Sequence, residues 1–305
     1  MSVDVSVKVY GCRGSIPVAG SDYAKYGGHT SCAVVRVGDR EIVFDAGSGI
    51  RTYSQVLNGT HAPKCHIFFS HAHFDHVLGL PYFTAIYRPD ATIHFWGPRD
   101  GRFDSWEGTI DALLRPPYHP VSMWEMLSKK YFHDIGEADV VYFLEDSDEV
   151  LQLRPAHPDD APRVPPPEQV AFSVHCMRGY NHPKSGVNIY KVVVGDRSIV
   201  YATDTEGYVG ADRRLLMFAR GADVLMHDAM YTEARYTSMP VPTQGYGHST
   251  VEIATSLAKQ AGVKQLVLWH HDPDNTDDEL DAVADLARSL FPDTILGHDG
   301  LEIHI

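Results

Sequence analysis

The chain has 305 residues, 44% hydrophobic and 22% charged, a balance that excludes the disordered and collagen-like classes. Forty acidic against 26 basic residues give a net charge of −14, which argues against a broad nucleic-acid-binding face, because tracking a phosphate backbone needs clustered Lys and Arg. No apolar run reaches the ~18 residues of a membrane span, and MSVDVSVKVYG at the start lacks a signal-peptide pattern, so the expectation is a cytoplasmic protein without a membrane partner.

In chain order, short β-branched and aromatic runs at residues 5–10, 32–37, 41–44 and 64–69 predict strands, separated by Gly, Asp and Pro. The next segment, 96–132, carries Trp96, Trp106 and Trp124 with Tyr118 and Tyr131, and reads as an aromatic-rich insertion. Residues 155–167 hold six prolines and predict an exposed extended loop. Further strands are expected at 170–175, 188–193, 198–202, 223–227 and 265–269, and helices at 212–220, 250–260 and 277–290. The second helix opens on Ser249-Thr250-Val251-Glu252, a capping-box pattern. Strands interleaved with helices predict an α/β protein of mixed sheets flanked by helices, read as one domain over 1–305.

Cys12, Cys32, Cys65 and Cys176 lie far apart with no CxxC pair, so neither a thiolate zinc site nor a disulfide framework is suggested. The 18 histidines are unevenly placed, and Ser70-His71-Ala72-His73-Phe74-Asp75-His76 follows directly on a predicted strand. Imidazole and carboxylate donors suit borderline-soft divalent metals. His71 and His73 alternate on an extended turn and can face one ion. Asp75 and His76 stand where the chain turns into a helix and can face a second.

His71-Ala72-His73-Phe74-Asp75-His76 resembles the HxHxDH signature of the metallo-β-lactamase superfamily, and further matches follow in family order. Asp45 resembles the buried aspartate after an early strand, His182 the third-motif histidine, Asp204 the bridging aspartate and His270 the final ligand. The resemblance implies a four-layer αβ/βα sandwich and two divalent metals. His71, His73 and His182 would hold one, Asp75, His76 and His270 the other, with Asp204 bridging. His270 and His271 are adjacent; strand alternation and the family pattern favour His270, leaving His271 to contact substrate or support a ligand. Zinc is the expected metal, with manganese and iron(II) sharing much of its preference. His73 stands where the oxygen-reducing di-iron relatives carry Glu, which points to hydrolysis.

Met226-His227-Asp228-Ala229 and Gly247-His248-Ser249-Thr250 resemble the paired His-Glu-Ala-Thr and His-Ser-Thr segments of RNase Z-like phosphodiesterases. That resemblance implies a bridging hydroxide as nucleophile, His248 as general acid and Asp228 orienting its ring, with Asp75 at the reacting centre; the alternative makes His248 merely the neighbour of a helix cap. Asp228 departs from the family's Glu and has a shorter reach. The Gly11–Pro17 segment either brings backbone N–H groups and Arg13 near the metals or only shapes the first hairpin, the latter slightly favoured. Asn181 and Tyr246 are candidate contacts to a substrate phosphate or base, or packing residues.

Within 155–168, Asp159, Asp160 and Glu168 stand against Arg163 alone, unlike the basic arm with which RNase Z enzymes grip tRNA. With the acidic surface, this favours a small phosphodiester over long nucleic acid. Cyclic nucleotides lead; a tRNA 3′-end endonuclease is the alternative, and a lactone or thioester hydrolase of the same fold is third. The 96–132 aromatics either stack a nucleobase, form a homodimer face or build local core.

Overall fold

The computed structural model describes residues 3–99, 101–208 and 210–305. It divides into two compact units, one of residues 1–135, 272–278 and 297–304, the other of residues 136–271, 279–296 and 305.

The first unit is built on a seven-stranded mixed sheet. Its strands are β1 (Val5–Gly11), β2 (Cys32–Val37), β3 (Arg40–Phe44), β4 (Lys64–Phe68), β5 (Thr92–Gly97) and β6 (Lys129–Asp134), with a closing strand, Glu302–His304, outside β1. β1–β3 pair antiparallel as consecutive neighbours, whereas β3–β6 run parallel. Parallel neighbours need crossovers. They contain α1 (Ile50–Leu57), α2 (Phe74–Val77) and α3 (Trp106–Leu113). Tyr53, Leu57, Ile67, Phe69, Phe95, Trp106 and Ile110 pack into one buried cluster.

The aromatic segment 96–132 therefore contains the crossover helix α3 and the edge strand β6 of this sheet. Trp96 and Trp106 are buried, while Tyr118 and Trp124 are exposed. Its signal was misleading because a crossover rich in Trp and Pro hides the strand that follows it. β4 to β6 also align a ladder of rings. His66 stacks on His94 at 4.4 Å, Trp96 on His133 at 3.8 Å, and His94 Nδ1 lies 3.0 Å from His133 Nε2.

The second unit carries an eight-stranded mixed sheet: β7 (Val140–Leu144), β8 (Val150–Leu153), β9 (Val170–Gly179), β10 (Val187–Val194), β11 (Arg197–Ala202), β12 (Val224–Asp228), β13 (Gln265–Trp269) and β14 (Thr294–Leu296). β11 to β14 are parallel and the others antiparallel. Its helices are α4 (Arg213–Ala219), α5 (Glu233–Tyr236), α6 (Val251–Ala261) and α7 (Asp277–Leu290), the last belonging to this unit from Glu279. α6 buries Val251, Ala254, Leu257, Ala258 and Ala261, the spacing of one apolar helix face, and ends at Gly262 in the left-handed conformation (φ 65°). Its cap is Thr250, whose hydroxyl accepts from Ile253 N, rather than Ser249 as the sequence pattern suggested. Glu252 accepts instead from Glu233 N at 3.0 Å. No helix of the described residues is long and apolar enough to cross a membrane.

Candidate metal centre

In both units the chemistry-bearing residues stand just past the carboxyl ends of the strands, where open α/β sheets place their ligands. Asp45 follows β3, and Ser70 to His76 follow β4. In the second unit His182 follows β9, Asp204 follows β11, Asp228 ends β12 and His270 follows β13. Asp45, Asp204 and His270 hold φ of 59°, 51° and 60°. A non-glycine residue in that region costs about 1–3 kcal/mol and persists only where the surroundings determine it, a pattern typical of functional sites.

The first unit organises its donors around one buried carboxylate. Asp45 is fully buried. Its Oδ1 accepts the Ser70 N–H at 2.7 Å, and its Oδ2 accepts the Ser70 hydroxyl at 2.8 Å and lies 2.7 Å from His76 Nδ1. The carboxylate accepts from His76 Nδ1–H and so leaves the Nε2 lone pair directed outward, the tautomer a metal requires. Ser70 Oγ lies 3.0 Å from His71 Nδ1 and orients that ring as well. His71, His73 and His76 cluster, with ring centroids 4.3 and 4.4 Å from His71, and His76 Nε2 lies 3.3 Å from Asp75 Oδ2. The Gly-rich N-terminal turn does bring a backbone donor here, since Ser15 N donates to Asp75 Oδ2 at 2.8 Å. Arg13, in contrast, is spent on structure. Its guanidinium is buried and donates to the carbonyls of Gly27, Asp272 and Asn275, which favours the turn-shaping alternative for that side chain.

The second unit gathers its donors from four separate chain segments. Asp204 turns one oxygen to each of two imidazoles: Oδ2 lies 3.5 Å from His182 Nε2 and Oδ1 lies 3.3 Å from His270 Nε2. Two oxygens splayed toward two rings suit a carboxylate shared between two ions. His182 Nδ1 donates to the Gly247 carbonyl at 3.0 Å, which again fixes Nε2 as the metal-ready nitrogen. Burial lowers the His182 pKa, opposed by the Asp204 charge, so the ring favours its neutral, ligating form. Of the two adjacent histidines, His270 faces Asp204; His271 is buried beside it.

Next to these donors, His248 Nδ1 lies 2.7 Å from Asp228 Oδ2. Asp228 is fully buried, and its other oxygen accepts the N–H groups of Ser249 and Met230 at 3.0 and 3.1 Å. The shorter Asp side chain thus still reaches the imidazole. Asp228, His248 and His270 bring ligand atoms close enough to suggest a donor group of their own. The 2.7 Å contact to His248 against 3.9 Å to His270 Nδ1 instead marks Asp228 as the hydrogen-bond partner of His248. Asn181 donates to Thr205 Oγ1 at 2.9 Å and to the Glu206 carbonyl, which turns its amide nitrogen inward. Tyr246 is 52% exposed.

The family model of the metallo-beta-lactamase superfamily matches residues 26–248. The chain belongs to the metallo-beta-lactamase superfamily. Ribonuclease Z of Picrophilus torridus is 26% identical, over 100% of this chain and 97% of that protein; ribonuclease Z of a Synechococcus strain (WH7803) is 29% identical, over 78% and 79%. Among solved structures, a diphosphatase of the PhnP family superposes with a TM-score of 0.67 at 16% identity, covering 99% and 98% of the two chains. Human tRNase Z, short form, gives 0.63 at 20%, covering 98% of each. This is a metal-dependent hydrolase of that superfamily, with the α/β fold of two mixed sheets flanked by helices that the motifs implied.

Sequence reasoning missed Ser70 and Glu206. Ser70 touches Asp45, His71 and His76 at once, and its position between a strand and the first ligand was the available signal. Glu206 bonds to residues about forty positions away, and nothing local announces that.

Proposed function

We propose that this superfamily member is a phosphodiesterase of the ribonuclease Z kind, with two divalent cations held by His71, His73 and His182 on one side, Asp75, His76 and His270 on the other, and Asp204 between them. The assignment rests on the family's ligand order and on the donor chemistry of each unit, in which His71, His76 and His182 each have Nδ1 engaged by a second group. Zinc fits this nitrogen and oxygen set best, with manganese and iron(II) behind it. Two such ions supply Lewis acidity and a water acidified toward neutral pH.

The chain's own part is proton delivery and orientation. The pair His248–Asp228 carries the reading. Asp228 is locked by two backbone N–H groups, so it holds His248 Nδ1–H and orients the ring with Nε2 outward. Nε2–H is then the proton to give to a departing alkoxide oxygen, a contribution of roughly 10²–10⁴-fold. A lactone or thioester hydrolase has less need of that donor, since its leaving oxygen or thiol can be stabilised by a cation directly.

The relatives reverse the order of substrates that charge alone suggested. The curated relatives are named Ribonuclease Z and one structural neighbour is a tRNase Z, which supports RNA as the first substrate and the tRNA 3′-end endonuclease as the leading reading. A small nucleotide phosphodiester, a cyclic nucleotide among them, is the second reading, favoured by the net charge of −14 and the acidic proline loop. One turnover screen tests both: precursor tRNA, cyclic mono- and dinucleotides, linear dinucleotides and a bis-aryl phosphodiester, beside lactone and thioester panels. Cleavage confined to lactones or thioesters rejects the proposal. His248→Ala should keep its metal and lose most turnover on alkoxide leaving groups, and much less on aryl ones.

A further inference from the structure

Glu206, two residues beyond Asp204, belongs neither to the ligand set nor to the acid pair, yet it gathers several hydrogen bonds. Its Oε1 accepts the Gly245 N–H at 2.7 Å and its Oε2 accepts the Gly247 N–H at 3.0 Å, so one carboxylate spans the residues on either side of Tyr246. The Tyr236 hydroxyl donates to the same Oε1. Burial and the neighbouring carboxylate push the phenol's pKa up, so it stays a donor through the working pH range. Asn181 donates to the Glu206 carbonyl and ties the segment before His182 to the same residue.

Gly247 is consequently held through both of its backbone polar groups, its N–H by Glu206 and its carbonyl by His182 Nδ1. Gly247 has φ of 93°, and a Cβ there would stand 2.3 Å from His182 Nδ1, so the backbone lies flush against the imidazole and only glycine fits. The next residue is His248. We propose that Glu206 is a positioning residue: by clamping residues 245–247 it fixes the tautomer of His182 and the placement of His248. The activity half of this inference rests on the phosphodiesterase reading; the tautomer half does not.

Glu206→Gln tests it, because the amide replaces one acceptor with a donor and so leaves one glycine N–H facing no acceptor. Tyr236→Phe removes a single bond and serves as the milder variant. In nitrogen-15 spectra of the imidazoles, metal-free wild type should show His182 as one Nδ1–H tautomer, and Glu206→Gln a mixture with faster proton exchange. On an alkoxide-leaving phosphodiester, Glu206→Gln should lower kcat ~10-fold or more, with KM changed less than about twofold. On an activated aryl phosphodiester, with the metal kept saturating so that a weakened His182 contact does not empty the site, its kcat should stay near wild type, matching the pattern of His248→Ala. Tyr236→Phe should show the same pattern in smaller measure. An unaltered His182 spectrum, or an equal loss across leaving groups, overturns the proposal. If wild type cleaves no phosphodiester, the functional reading fails while the His182 spectrum still decides for or against the clamp.

Discussion

The two units reach the same end, imidazoles with one nitrogen fixed and the other presented, by opposite routes. In the first, the donors are contiguous: His71 to His76 come from one turn, and Asp45 beneath them is a hub for Ser70 and His76. In the second, His182, Asp204, Asp228 and His270 come from four strand ends, and the partners are themselves backbone groups or neighbouring donors. A contiguous motif needs a buried support, whereas a dispersed one is held by the sheet's register. The difference predicts where substitutions damage the fold and where they damage only the chemistry.

The largest effect should follow Asp45→Ala. The change strands the Ser70 N–H and hydroxyl and the His76 Nδ1–H inside the first unit, at a cost of about 3–5 kcal/mol for breaking a buried charged network. Metal affinity should fall at least ~10–100-fold, since the ring of His76 loses its orientation. Calorimetry together with metal content measures both. Asp204→Ala in the second unit should abolish turnover and empty the metal site, yet lower the melting temperature of metal-free protein less, because its oxygens face the Nε2 atoms of His182 and His270, the nitrogens left for a metal, whereas Asp45 holds an Nδ1–H. Equal melting losses for the two variants would break the comparison.

This contrast also explains what could be read in advance. The contiguous His71–His76 turn was legible from spacing, because local donors reveal themselves locally. Asp204 and His270 were legible only through the family pattern, since each is an ordinary residue after an apolar strand until register brings it to its partners. Helices 212–220, 250–260 and 277–290 came within a residue of α4, α6 and α7, whose apolar faces are periodic. α1 was not recognised although it buries Ile50, Tyr53, Ser54 and Leu57 at helical spacing, and β6 was lost in the aromatic segment. Ser70 announced itself only by standing between a strand and the first ligand, and Glu206 was invisible because its value lies in hydrogen bonds to residues 30 to 41 positions away.

A pH effect of intermediate size should come from the ring ladder of the first unit. Burial lowers the His66 pKa to about 2, with His94 adding to it, and lowers His94 and His133 to about 4. The ordinary histidine value near 6.5 holds in the unfolded chain, so the unfolded state binds more protons between these limits. Stability from this ladder is complete above about pH 6.5 and is lost as pH falls toward 4. Metal-free protein should therefore melt progressively lower over that interval, and His133→Gln should flatten the slope; an unchanged slope would remove the ladder from the account.

The smallest test concerns the start of α6, where sequence and structure put the cap one residue apart. Thr250 Oγ1 accepts from Ile253 N at 3.2 Å, so Thr250→Ala should cost about 1 kcal/mol, the usual value of a lost N-cap. The Ser249 hydroxyl is buried and has no hydrogen-bond partner among the described residues, while its backbone N–H is what holds Asp228. Ser249→Ala keeps that N–H and removes an unsatisfied buried oxygen, which makes it near neutral or slightly stabilising. Neither variant should alter the leaving-group dependence of turnover, because both spare the His248–Asp228 contact. A larger stability loss for Ser249→Ala than for Thr250→Ala would restore the cap to the position the Ser-x-x-Glu pattern suggested, and with it a different entry of α6 behind His248.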